Sequence, residues 1–207
     1  MDPVDKHAIH SSQEPNYRTS DPMFKALDDE FEFSVDLAAL STNSKCPLYL
    51  GPDHPNLICR DALDGFSWHW RVKELMKGVR IPRLSGFINP PYSRMLARQL
   101  KADGAPEEQI RAMIIENWAA RCYRESQYMT IVGVFPAGTQ TPWWQKYVHN
   151  KVREIRDLPH RECFLSPTGE PLGNAGVNTC VLVWAKWGGR MLGYRSNRNY
   201  WTYRSEK

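Results

Sequence analysis

The stretch Gly86-Phe87-Ile88-Asn89-Pro90-Pro91-Tyr92-Ser93 decides how the rest of the chain is read. A short apolar run stops at an amide, two prolines and an aromatic. Neither proline has an N–H to donate, so the pair can neither continue a sheet ladder nor enter a helix interior. Asn89, placed before Pro90, is pushed out of the helical region. The reading is a strand that ends at Ile88 and leaves through a stiff, extended turn whose backbone freedom proline has already removed. That turn presents one amide, exposed carbonyls and one aromatic face. An exocyclic amine on a heteroaromatic ring, such as that of adenine, has its lone pair delocalised into the ring. Two acceptors must take its hydrogens to turn the lone pair outward. The Asn89 side-chain oxygen and the Pro90 carbonyl are candidates for those acceptors, and Tyr92 for a stacking face. A rigid loop that merely closes a strand is the plainer reading of the same residues.

Upstream, residues 1–19 are polar and without apolar period, and read as a mobile tail. Order is expected from Ser20-Asp21-Pro22, where Ser20 or Asp21 can cap a helix and Pro22 suits its first position. Phe24, Leu27, Asp28 and Phe31 follow at helical spacing, and Phe31 to Val35 alternates as a strand should. Asp36 then stands at a strand end, where an open α/β sheet binds its ligands. From spacing alone it reads equally as a cofactor acceptor or as the cap of a following helix. Residues 42–55 are loop-like, and Asp61 is a second acid just past a possible strand, Leu57-Ile58-Cys59.

Downstream of the motif, two helices are expected, one stopping near Asp103-Gly104 and one opening at Pro106, together a crossover packed on the sheet. Tyr128 to Phe135 is a buried strand by its β-branched run. It ends in a loop with Trp143-Trp144 that, in a parallel sheet, opens on the same edge as Asn89. Residues 152–164 read as two short strands or a strand and a turn, and 166–178 as a loop. Thr179 to Ala185 is an apolar and central strand.

The 207 residues, with 42% hydrophobic and 24% charged, suit one soluble domain. Five scattered cysteines without a Cys-x-x-Cys argue against zinc or redox-pair chemistry and predict buried thiols. No apolar run approaches the roughly 20 residues of a membrane span, and no signal peptide is evident, so a cytoplasmic setting is expected. The net charge is only +4, yet two stretches interleave basic and aromatic side chains. One, from Trp68 to Arg83, holds Arg71 and Lys73; the other, from Arg190 to Arg204, holds Arg195 and Arg198. Either suits a nucleic-acid strand, and either reads as a solvated surface or a terminal strap. The first is the favoured one, because the chain itself holds it next to the motif.

Asp21-Pro22 with Phe24 and Leu27, Phe31-Glu32-Phe33-Ser34-Val35-Asp36-Leu37-Ala38-Ala39, Lys45-Cys46, Tyr49, Asp61-Ala62-Leu63, Asn89-Pro90-Pro91-Tyr92, Phe135-Pro136-Ala137 and Trp143-Trp144 together resemble the phage DNA N-6-adenine methyltransferase family. The resemblance spans about residues 20–187, leaving 188–207 as a basic, aromatic extension. It implies an α/β, Rossmann-like methyltransferase sheet, mostly parallel with an antiparallel last strand and helices on both faces. It implies S-adenosylmethionine as donor and adenine in DNA as acceptor, and a host bacterial cytoplasm if phage-encoded. On this resemblance Asn89, Pro90, Pro91 and Tyr92 form the catalytic loop; Asp36, Asp61 and Pro22 are cofactor candidates; Tyr92, Trp143, Trp144, Arg71 and Lys73 are substrate candidates; no metal is implied. The basic stretch before the motif and the helices after it are longer than the family pattern leads one to expect.

Two rivals share these residues. A nucleic-acid or cofactor-binding protein without turnover is favoured by the missing Gly-x-Gly loop, although S-adenosylmethionine has no phosphate that demands one. An amino-methyltransferase acting on RNA adenine or protein glutamine keeps the motif, since a primary amide is also a planar nitrogen.

Overall fold

A computed structural model of the chain describes residues 18–79, 83–158, 163–166, 171–174, 178–185 and 197–202. Its helices are α1 (Asp21–Phe31), α2 (Trp68–Leu75), α3 (Arg94–Ala102), α4 (Glu107–Ala112), α5 (Ile115–Glu125) and α6 (Pro142–Tyr147). Its strands are β1 (Val35–Asp36), β2 (Ser85–Ile88), β3 (Thr130–Pro136), β4 (Glu154–Asp157), β5 (Cys163–Leu165), β6 (Pro171–Asn174), β7 (Thr179–Trp184) and β8 (Asn197–Tyr200). Six strands form one sheet in the order β1-β2-β3-β7-β4-β8. Strands β1, β2 and β3 are mutually parallel, β7 is antiparallel to both β3 and β4, and β8 runs parallel to β4. Within this sheet every strand but β7 therefore points the same way, consistent with the Rossmann-like methyltransferase sheet that the resemblance implies.

The apolar runs of β3 and β7 feed both faces of the sheet, because successive side chains on a strand point to opposite sides. Ile131, Phe135, Leu182 and Trp184 join a core with Trp118 and Cys122 of α5, Val72 of α2 and Trp143 and Trp144 of α6. Val132, Val134, Val181 and Val183 join a second core with Met23 and Leu27 of α1. Helices thus cover both faces, as expected. The α1 side is tied down by Arg156 of β4. It is buried, donates to Glu30 at 2.5 and 2.7 Å and to Glu154, and lies over the rings of Phe31 and Trp201.

The sheet departs from the sequence expectation in several places. The antiparallel strand is not the last one, since β8 follows it and caps the sheet beyond β4. Phe31 ends α1 instead of opening a strand; Phe31 and Phe33 stack on each other, and Phe33 packs on Phe24 and Phe87. Glu32 takes a left-handed φ of 50°, so β1 shrinks to two residues. Leu57–Cys59 is a 3-10 turn, not a strand. Residues 171–174, read as loop, form β6 and pair with β5 in a separate small sheet. Conversely, residues 48–50 lie beside β1 as a further rung: Asp36 N–H donates to Leu48 at 2.9 Å and Leu50 N–H to Asp36 at 2.8 Å. Of the mobile tail expected over 1–19, residues 1–17 lie outside the described residues, as do Arg190, Arg195 and Arg204, while Arg18 and Thr19 are held in place, Arg18 by a backbone bridge to Leu165 and Thr19 by burial.

Candidate active site

The parallel run of β1, β2 and β3 brings their carboxyl ends to one edge, and there a cavity of about 320 Å³ opens. Asp36, at the end of β1, and Asn89 and Pro91, just past β2, line it together, although Asp36 and Asn89 stand 53 positions apart in the chain. Pro90 is buried and Tyr92 half-buried beside them, outside the cavity lining. Ser93 stops the turn. Its hydroxyl accepts from Leu96 N–H and caps α3, while its own N–H donates to the Met113 carbonyl at 3.0 Å.

Asp36 is the most perturbed carboxyl here. It is 3% exposed, and burial raises its pKa from 3.8 to about 6. The N–H groups of Lys45 (3.0 Å) and Ala38 (3.4 Å), which donate to its two oxygens, and the Lys45 charge offset part of that rise. A carboxylate held at such cost in a cavity wall fits a ligand that brings hydrogen-bond donors. Gly51 forms part of the same wall. A Cβ there would sit 1.7 Å from the Ala39 carbonyl oxygen, so only glycine lets this backbone pass.

Asp61 also lines the cavity, on a turn in which its own carboxylate accepts from Leu63 N–H at 2.9 Å. Arg111 of α4 pairs with its other oxygen. Arg71 explains why that turn is rigid, and its place corrects the substrate role expected for it. Its side chain is fully buried, pairs with Asp64 and donates to the Asp61 carbonyl at 2.7 Å. The guanidinium therefore holds this turn of the cavity wall from within the protein and presents nothing to a phosphate. Trp68 assists from the same helix, donating its indole N–H to the Ala62 carbonyl at 2.6 Å.

Trp143 and Trp144 are likewise buried in the core, edge-on to each other, and leave no face for a base to stack on. Their expected substrate role gives way to packing under the loop after β3, where Trp143 lies against Gly138. Lys73 is exposed, on a helix that begins at the far end of the sheet. There Glu125 accepts from the N–H groups of Trp68 and His69, and His69 stacks on Tyr128 just ahead of β3. Among the described residues none of α2 lines the cavity. Pro22 occupies the first turn of α1, as expected for the helix, but the cavity is lined by Arg18 and Thr19 just before it.

Those two residues, and the wall from Leu100 through Gln109 to Met113, escaped the sequence reading. The helices after the motif looked like a plain crossover. The expected second helix instead breaks at Met113-Ile114, and α3 and α4 form one side of the cavity. Arg18 is held by a two-bond bridge to Leu165 of β5, at 2.9 and 3.0 Å. Thr19 is 2% exposed and its hydroxyl has no partner.

Four cysteines, Cys46, Cys59, Cys122 and Cys180, are buried free thiols whose pKa burial pushes up, so they are poor nucleophiles. Among the described residues no group of His, Cys, Asp and Glu is placed to hold a metal, and no helix is long and apolar enough to cross a membrane.

Comparison with known proteins agrees with this geometry. The family described as DNA N-6-adenine-methyltransferase (Dam) matches residues 6–199, nearly the whole chain. Neither curated proteins nor solved structures give a match. An Asn-Pro-Pro-Tyr turn and a buried acid meeting at one sheet edge, in a chain matched almost end to end, place this protein in the DNA N-6-adenine-methyltransferase (Dam) family.

Proposed function

We propose that the protein transfers a methyl group from S-adenosylmethionine to the exocyclic amino group of adenine in DNA. The observation that carries the reading is the meeting of Asp36 and Asn89 in one cavity at the carboxyl edge of a parallel sheet.

The donor set suits the cofactor. Asp36 and Asp61 supply acceptors for its hydroxyl and amino groups, and Arg18, Lys45 and Arg60 supply positive charge for its carboxylate, while Ala38, Leu50, Leu63 and Phe87 give the lining an apolar part. The orphaned Thr19 hydroxyl in the same wall is the kind of buried group that a ligand satisfies. S-adenosylmethionine, when bound, supplies an electrophilic methyl group on a sulfonium.

The chain's own work is alignment. The Asn89 side-chain oxygen and the Pro90 carbonyl accept the two amine hydrogens and turn the nitrogen lone pair out of the ring plane. As the nitrogen becomes positive, both oxygens face it, and such preorganised dipoles stabilise the transition state more than the ground state; the methylated nitrogen then releases one of its two protons to water. Tyr92 stacks on the flipped base, offsetting part of an unstacking cost of roughly a few kcal/mol by about 1–3 kcal/mol. No covalent intermediate is called for, in keeping with the buried thiols.

Incubation with methyl-labelled S-adenosylmethionine and unmethylated DNA, RNA or protein tests the reading. Label recovered as N6-methyladenine in DNA is expected. Label in RNA or protein alone would transfer the chemistry to another acceptor, and no label in any acceptor, with cofactor bound, would make the protein a binder.

A further inference from the structure

The described parts of the two basic, aromatic stretches, 68–79 with Arg83 and 197–202, lie toward opposite ends of the sheet strands. Helix α2 starts beside Glu125 and Tyr128, where β3 begins, away from Asn89. The later stretch contributes β8, which runs in the same direction as β2 and ends at the opposite edge from the start of α2. Tyr200 pairs with Asp157, Asp157 with Cys180 and Cys180 with Phe135. Ile88 pairs with Gly133, so Phe135, two residues further on, is level with Pro90. Tyr200 therefore stands at the height of the catalytic loop, on the same edge. From β2 to β8 the order counts four strand spacings, a lateral distance of ~19 Å at ~4.8 Å each.

Strand β8 is exposed at all four residues, and Tyr200 is 82% exposed. Its side chains, Asn197, Arg198, Asn199 and Tyr200, are all hydrogen-bond donors and include no carboxylate. Arg198 grips Asp157 through two bonds of 2.6 and 2.8 Å, which neutralises that acid and ties β8 to β4. A donor-rich strand end of this kind, beside a site that takes an adenine, fits the phosphate backbone of the same nucleic acid.

Resting on the proposed function, we propose that β8 is a second DNA-contact surface that grips duplex backbone about 19 Å from the target base. At ~3.4 Å per base pair that reach corresponds to about five or six base pairs of flanking duplex.

The test is a charge pair at the exposed position, Tyr200→Glu and Tyr200→Lys, with Tyr200→Ala as a neutral control. Binding is measured across a salt series on a duplex with about ten base pairs flanking the adenine on each side, and on one with about three. On the long duplex Tyr200→Glu should weaken binding and Tyr200→Lys strengthen it. The slope of log affinity against log salt should move by up to about 0.9 per phosphate contact changed. On the short duplex all variants should match wild type, and S-adenosylmethionine affinity should match throughout. Equal affinities on the long duplex, or equal shifts on both, would overturn the proposal. So would a change in sedimentation mass among the variants, which would assign the strand edge to a second copy of the chain. Wild-type protein that neither binds nor methylates either duplex would instead overturn the function on which the proposal rests.

Discussion

Replacing Asp36 with asparagine should make the protein more stable and less able to bind its cofactor. Burial raises the Asp36 pKa from 3.8 to about 6. A carboxyl whose pKa is raised on folding contributes fully below its unfolded value and loses that contribution as pH rises through the folded value. At about 1.4 kcal/mol per pKa unit, the loss amounts to ~3 kcal/mol between about pH 4 and pH 6–7. Asparagine keeps an oxygen for one of the two donors, Lys45 N–H and Ala38 N–H, and never has to ionise. Denaturant unfolding of both proteins across that range gives the difference directly, because all other titrating groups cancel. The stability of Asp36→Asn relative to wild type should grow by ~3 kcal/mol from pH 4 to pH 7. Calorimetric titration of S-adenosylmethionine should show the opposite trend. Wild-type affinity should rise with pH through about 6, as the acceptor ionises, and the variant should bind weakly at every pH. A stability difference that stays flat with pH, together with unchanged affinity, would refute both the desolvation account of Asp36 and its place in the cofactor site.

Three other substitutions test how the site is supported. Glu125→Ala should destabilise the protein by about 3–5 kcal/mol in denaturant unfolding. It strands the buried Arg121 guanidinium and removes the acceptor for Ser67 and the first N–H groups of α2. Gly51→Ala should abolish cofactor binding or folding, read by calorimetry and circular dichroism, since its Cβ would sit 1.7 Å from the Ala39 oxygen. Asp61→Asn should weaken S-adenosylmethionine binding in calorimetry while costing at most about 1 kcal/mol of stability, because its pair with Arg111 is one-third exposed at both ends.

What was legible in the sequence was what local chemistry alone dictates. Two prolines force β2 to end at Ile88, and β-branched runs build β3 and β7. The placement of Asp36 and Asn89 on one edge followed from parallel pairing. What was not legible depends on which way a side chain turns. Arg71 sits in a basic, aromatic stretch like any nucleic-acid contact, yet a helical position facing Asp61 and Asp64 takes it into the interior. Trp143 and Trp144 stand in a loop at the right edge, but they start α6 and point into the core. Thr19 carries no sequence signal, since its place in the cavity wall follows from a backbone bridge between its neighbour Arg18 and Leu165, distant in the chain. The break at Met113 was hidden because an apolar period continues across it; the interruption becomes visible only where Ser93 N–H takes the Met113 carbonyl.

The central claim is that Asn89 turns an adenine amine toward a methyl donor. The most direct measurement compares wild type and Asn89→Ala for N6-methyladenine formed in DNA under single-turnover conditions, with S-adenosylmethionine affinity measured on the same preparations. The predicted result is a transfer rate reduced more than tenfold, at least about 1.4 kcal/mol of barrier, with cofactor affinity changed by much less than the rate. Transfer retained at more than about a tenth of the wild-type rate would contradict it.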